Sequence, residues 1–310
     1  MRMIIDTDPG VDDGVALTMA LCSPGVTVEA ITVVKGNAGL AQTVSNARLV
    51  VETCGAGVPV YAGAHAPLVR PAVDRPSWIH GADGFGDLGL LPRRADADLG
   101  FAPDRIVELI MAAPGEITLV TIGPLTNIAL ALAREPRIAR AARALVMMGG
   151  AQAMDNATPA AEFNVQADPE AAGAVFAAGF ALTTVGAEIC RGPARLTEDD
   201  VAAIRALDTP PARLVGALLG HSLAIAPRRP MLPGERGAAC SDAVAMAVAL
   251  DPAVVSASAE AFVDVETAGR LTTDTTVAGR PGDLRKPPNA RVALAIDAVR
   301  FKRLLLDRCR

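Results

Sequence analysis

The chain predicts an α/β fold: an open, mainly parallel, doubly wound (Rossmann-like) sheet with helices on both faces. Three observations carry that expectation. Short apolar, β-branched runs alternate with longer Ala-rich segments of helical period, the pattern of βαβ units. At 310 residues, 51% hydrophobic and only 20% charged, the chain has material for a large core. The polar motifs fall where strands should end at their carboxyl side, the edge at which open α/β sheets gather ligands. No composition shift marks a linker and no internal repeat is present, so residues 1–310 are expected to form a single domain.

The elements follow in order. Ile4–Asp6 is a buried strand leading to a helix near Asp12–Cys22, and Val26–Val34 leads to one near Leu40–Cys54. Ile117–Ile122 precedes a helix near Leu125–Arg134, and Ala144–Met148 precedes a loop and a helix near Pro169–Ala178. Ala181–Val185 comes next, then helices near Glu198–Ala206 and Pro211–Ile225. Ala261–Val265, Leu271–Val277 and Val292–Ile296 have no helical spacers and predict a hairpin-like edge. An amphipathic helix near Ala298–Leu306 closes the chain. Two segments break the rhythm, residues 62–102 and 226–241, both rich in Gly and Pro. Irregular segments that long inside a compact domain are usually functional or mobile.

Charge and composition exclude several partners. A formal net charge of -5 gives no general attraction to nucleic acid or to an anionic membrane. No apolar run reaches membrane-spanning length, and no basic segment followed by a long apolar one marks a signal peptide. The five cysteines (Cys22, Cys54, Cys190, Cys240, Cys309) are scattered without paired spacing and read as reduced thiols of a cytoplasmic protein.

The most informative stretch is Asp6-Thr7-Asp8-Pro9-Gly10-Val11-Asp12-Asp13 at the exit of the first strand. Carboxylates crowded at one turn repel one another, and burial adds to the penalty unless a cation or protons neutralise them. N-capping accounts for one or two of them, not for all four. A divalent cation is the economical reading. With no His or Cys in the cluster, the ligands suit hard Ca²⁺ or Mg²⁺. Asp242, after a Gly-rich loop and before Ala243–Leu250, is either a plain N-cap or a further ligand. Gly84-Phe85-Gly86-Asp87-Leu88-Gly89 fits the dinucleotide fingerprint GxGxxG but lacks the flanking strand and helix, and is set aside. Neither a phosphate-binding GxxxxGK[ST] loop nor a GxSxG elbow is present.

Taken in order along the chain, these motifs resemble the inosine–uridine-preferring nucleoside hydrolase family. The resemblance rests on DTDPGVDD at 6–13, Gly36-Asn37, Thr121-Ile122-Gly123-Pro124-Leu125-Thr126-Asn127 and Val146–Gly150. It continues through Asn156–Asn164, Asp168–Ala172 and Asp242–Ala245. It implies the nucleoside hydrolase fold and a Ca²⁺ held by Asp8, Asp13, Asp242 and the backbone carbonyl of Thr121. It further implies hydrolysis of a small-molecule ribonucleoside to ribose and free nucleobase, with Asp8 as general base. By correspondence Asp12 and Asn37 contact the ribose or the water, Asn156, Glu162 and Asn164 bind the remaining hydroxyls, and Met148 lines the sugar pocket. Family habit implies a homodimer or homotetramer, and a role in purine or pyrimidine salvage.

The chain departs from the family at one position. Where well-known members carry a His as leaving-group acid, this sequence has Ser241, which cannot supply a proton near neutral pH. His80, in Ile79-His80-Gly81, resembles a family loop His that approaches the base; the plainer reading is a loop His with no partner. His221 reads as structural or surface, Arg228 and Arg229 as solvated or as donors to a base, and His65 is unassigned. Two alternatives to a hydrolase stand beside it. One is a ribonucleoside binder impaired in turnover by Ser241, the other a phosphatase using the Asp6-x-Asp8 pair.

Overall fold

The computed structural model describes residues 1–73, 75–150, 161–228, 237–269, 272–279 and 286–310. In its first half β1 (Arg2–Thr7), α1 (Val11–Leu21), β2 (Thr27–Val33), α2 (Leu40–Thr53) and β3 (Val60–Ala62) alternate. The short α3 (Ser77–His80) and α4 (Ala102–Ala112) follow, then β4 (Ile117–Thr121), α5 (Thr126–Arg134), α6 (Ile138–Ala141) and β5 (Ala144–Met148). The second half holds α7 (Phe163–Ala167), α8 (Pro169–Ala177), β6 (Leu182–Val185), α9 (Glu198–Arg205), α10 (Pro210–Ile225) and α11 (Ser241–Leu250). It ends with β7 (Val255–Val265), β8 (Thr276–Gly279), β9 (Ala290–Ile296) and α12 (Ala298–Arg308).

The strands form one sheet in the order β3-β2-β1-β4-β5-β6-β9-β7-β8. From β3 to β9 every neighbouring pair is parallel, whereas β7 runs antiparallel to β9 and β8 antiparallel to β7. Strand side chains alternate between faces. Met3 and Ile5 of β1 and Val146 and Met148 of β5 join a core with residues of α1, α2, α10, α11 and α12. Ile4, Leu145 and Met147 point the other way, into a second core with α4, α5 and α8. Both faces are covered, as the doubly wound expectation requires.

The strand order reverses at β1, whose neighbours are β2 on one side and β4 on the other. The connections from these two strands diverge to opposite faces and leave a crevice at their carboxyl ends. The expected edge is built differently from a simple hairpin: β9 inserts between β6 and β7, parallel to the first and antiparallel to the second, and β8 adds antiparallel to β7. Leu271, expected in that edge, lies outside the described residues. Five described elements had no counterpart in the sequence reading: β3, α3, α4, α6 and α7. β3 is too short for alternation to show, and α4 directly follows the Gly- and Pro-rich segment, although its Ile106 and Ile110 recur at helical spacing and are buried.

Candidate active site

At the reversal of strand order, the chain leaves β1 through Asp8-Pro9-Gly10 and turns straight into α1. Gly10 has to be glycine: a Cβ there would lie 2.7 Å from both Asn37 Nδ2 and His80 Nδ1. Asp13, in the first turn of α1, is fixed on three sides. Thr7 Oγ1 donates to its Oδ1 at 2.6 Å, and the Gly10 N–H and Asn37 Nδ2 donate to its Oδ2 at 2.9 and 3.0 Å. Asp8 is fully buried. The Asn37 N–H donates to its Oδ2 at 2.7 Å, and its Oδ1 has no hydrogen-bond partner. Its carboxylate lies between two glycines, since a Cβ on Gly36 would come 1.9 Å from Oδ2 and one on Gly123 2.6 Å from Oδ1.

Asp242 reaches the same place from a distant part of the chain. It stands in the first turn of α11 with Cys240 at the cap, so the plain N-cap reading is wrong: capping belongs to the residue that precedes the helix. Carboxylate oxygens of Asp12, Asp13 and Asp242 lie within 4.8 Å of one another. Burial first, then repulsion from its neighbours, pushes the Asp242 carboxyl well above the carboxylate range, and Asp8 follows for the same reasons. Burial, then Asp12, lifts Asp13 up to about 6. Three converging carboxylates short of counter-charge, beside a buried oxygen with no donor, suit a hard divalent cation. They offer oxygen only, which does not suit zinc.

The pocket is lined by Asp12, Asn37, Arg75, His80, Ile122, Met148, Glu162, Asn164, Ser241 and Asp242. Glu162 caps α7: its carboxylate accepts from the Asn164 and Val165 N–H groups at 2.9 and 3.3 Å. Glu162 and Asn164 are buried, so the polar-surface-loop reading does not hold for these two residues. Asn164 Nδ2 donates to the carbonyls of Ile122 and Met148, each at 3.2 Å, and so ties the ends of β4 and β5 together. His80 is buried, and its Nδ1 accepts the Val11 N–H at 3.0 Å, which places the proton of a neutral ring on Nε2.

Of the residues singled out in the sequence, Asp12, Asn37, His80, Met148, Glu162, Asn164 and Asp242 line one pocket, with Asp8 and Asp13 directly behind. Thr121 does not line it. That residue is still in the strand ladder, paired with Asp6 and Met147, and it is Ile122, one residue further, that faces the pocket. Asn156 and Arg229 lie outside the described residues. His221 is structural, its Nε2 within 3.1 Å of the Ile79 carbonyl, while His65 and Arg228 are exposed. Arg75 and Ile122 were missed as pocket residues. Nothing in the spacing of Arg75 marks it, whereas Ile122 belongs to a motif already recognised.

The phosphatase alternative does not survive. Asp6 is buried beneath the pocket, where its Oδ2 accepts from Thr32 Oγ1 at 2.6 Å and Asn127 Nδ2 at 2.9 Å, so it cannot reach a substrate as nucleophile. The GxGxxG stretch is a series of turns, with Gly84, Gly86 and Gly89 all at positive φ and no helix after them.

Residues 3–303 match the family described as inosine-uridine preferring nucleoside hydrolase. The chain belongs to that family. This hydrolase is 36% identical to the non-specific ribonucleoside hydrolase RihC of Salmonella agona over 99% of its own length and 97% of the relative's. Its fold superimposes on a plant nucleoside hydrolase, PpNRh1, with a TM-score of 0.90 at 30% identity, covering 99% of this chain and 98% of that one. A purine-preferring ribonucleoside hydrolase from Gardnerella vaginalis gives a TM-score of 0.91 at 28% identity, covering 100% and 98%. Membership makes the chain an N-ribosyl hydrolase acting on ribonucleosides.

Proposed function

We propose that this hydrolase cleaves the β-N-ribosyl bond of ribonucleosides by direct attack of water, with Asp8 as general base and Ca²⁺ as the resident cation. One observation carries the reading. Carboxylates from distant parts of the chain, Asp12 and Asp13 on α1 and Asp242 on α11, converge beside Asp8, whose buried Oδ1 has no donor. Asp8, Asp13 and Asp242 would hold the ion, with the Thr121 carbonyl completing the set by family correspondence, or that of Ile122, which lines the pocket. When bound, the ion supplies a Lewis acid that makes a water more acidic and grips the ribose diol.

The chain's own residues do the rest. Asp8 Oδ2 is occupied by the Asn37 N–H, which leaves Oδ1 to take the proton of the attacking water. Asp12, Asn37, Glu162 and Asn164 present acceptor oxygens for ribose hydroxyls, with Asn156 added by family correspondence. The carboxylate-rich wall favours the positive charge that develops on the ribosyl group as the bond to the base breaks.

The cytoplasmic setting and the salvage role belong to the same proposal, supported by five free cysteines. A homo-oligomer is supported by exposed Val69, Leu91 and Leu99 on the 62–102 segment. The test is ribose release from a panel of purine and pyrimidine nucleosides, with calcium and after chelation. Release that requires calcium is expected. No release from any nucleoside in millimolar calcium refutes the reading.

A further inference from the structure

We propose that Arg75 is a catalytic residue that stabilises the nucleobase as it departs. The inference rests on the proposed hydrolysis and assigns the one role that it leaves open. Breaking the C1′–N bond sends its electron pair to the base nitrogen. Charge therefore separates, positive on the ribosyl group and negative on the base. The carboxylates of this pocket serve the first charge and oppose the second. Ser241 lines the pocket at the position where a charged donor would help, and a neutral hydroxyl meets little of that need.

Arg75 is the one permanently charged cation among the described residues that line the pocket. Its Nη1 donates to Asn37 Oδ1 at 2.6 Å, and its guanidinium carbon sits 4.1 Å from the centroid of the Phe163 ring. Asn37 is itself held by Asp8 and Asp13, so the guanidinium is anchored on two sides before any substrate arrives. A guanidinium carries N–H donors in a rigid planar fork, and only one contact engages them among the described residues. A fixed cation here weakens both the hold on a divalent ion and the stabilisation of a ribosyl cation. At rest it lowers the buried carboxyls of Asp8 and Glu162 by proximity, and the further anion that hydrolysis generates within the pocket is the leaving base. A preorganised charged donor at that place needs little reorganisation as charge develops.

His80 does not duplicate the role. Its Nδ1 is engaged by the Val11 N–H, so a neutral ring can offer only the Nε2 proton. The step balances without an additional reagent. Water oxygen bonds to C1′, its proton passes to Asp8, and the C1′–N electron pair leaves on the base. Arg75 holds that anion by hydrogen bonds until solvent protonates it.

The experiment compares wild type, R75Q and R75K on inosine, uridine and p-nitrophenyl β-D-ribofuranoside, whose nitrophenolate departs without help. For R75Q, kcat/KM on the two nucleosides should fall by about 100-fold, in the range of losing one preorganised donor. On the nitrophenyl riboside it should change by less than about threefold. R75K should recover part of the nucleoside activity. Equal losses on all three substrates, or no loss on nucleosides, overturn the assignment. A wild type that prefers uridine 5′-monophosphate, with the preference lost in R75Q, gives the guanidinium to a phosphate and also overturns it. A wild type that cleaves neither nucleosides nor the nitrophenyl riboside overturns the hydrolase reading, and this assignment with it.

Discussion

Gly36→Ala tests how the general base is seated. The new Cβ would stand 1.9 Å from Asp8 Oδ2, against the roughly 3.4 Å of ordinary contact, so about 1.5 Å of movement is required. Nothing flexible lies between them to absorb it. Asp8 is fully buried, and Gly123 closes its other side, where a Cβ would come 2.6 Å from Oδ1. The carboxylate must turn out of line or the 34–38 segment must shift. A displacement of about 1 Å in a reacting group costs on the order of 100-fold in rate, so kcat/KM for a nucleoside should fall at least that far. Overpacking of this kind costs about 1–3 kcal/mol of stability, a loss of only a few degrees in Tm, so the variant should stay folded. Gly57→Ala, with nothing within 4 Å of its Cβ, is the control and should leave both quantities unchanged. Steady-state kinetics beside a thermal melt decide it. Gly36→Ala with kcat/KM within about threefold of wild type would show that Asp8 is not the base, or is not held where it sits.

Other outcomes follow from the same site and its supports. Calcium affinity should weaken by at least tenfold between about pH 8 and about pH 5.5, because Asp8, Asp13 and Asp242 all titrate above the ordinary range and protons then compete with the ion; calorimetry showing a flat profile counts against it. Burial lifts Asp6 from 3.8 to about 7, so between those values the folded chain holds a proton that the unfolded chain releases, and stability from this group declines as pH rises through that window. In a chelator, the wild-type melting temperature should fall over that window more steeply than that of Asp6→Asn; parallel curves would refute it. Arg70 binds Glu170 through Nε and Nη2 and Asp274 through Nη1, tying the 62–102 segment to α8 and to the β7–β8 ribbon. Arg70→Ala should lower stability by about 2 kcal/mol, read as the urea midpoint, and an unchanged midpoint would show the network to be ornamental.

Much of the fold was legible along the chain because the doubly wound sheet writes its period locally. The helices expected near Leu40–Cys54, Leu125–Arg134 and Pro169–Ala178 match α2, α5 and α8 to within a residue or so at each end. β3 and the insertion of β9 between β6 and β7 were not legible, since strand neighbours are chosen by packing across the whole sheet. The acidic turn at 6–13 announced a cation because four carboxylates in eight residues repel one another too strongly to be gathered without counter-charge. Asp6 nevertheless turned out to belong to the support beneath the pocket, which an alternating strand permits and the order of acids along the chain does not reveal.

The linear order of residues determined the layered α/β architecture, the carboxyl-edge location of the site and the family, because each depends on short-range pattern or on motifs read in series. Folding decided which atoms meet. It brought Asp242 beside Asp12 and Asp13, set Ile122 at the pocket wall instead of Thr121, and laid Arg75 across Phe163 against Asn37. Those contacts join segments far apart in the chain, and their distances are set by side-chain packing and charge within a single crevice, for which no local period exists.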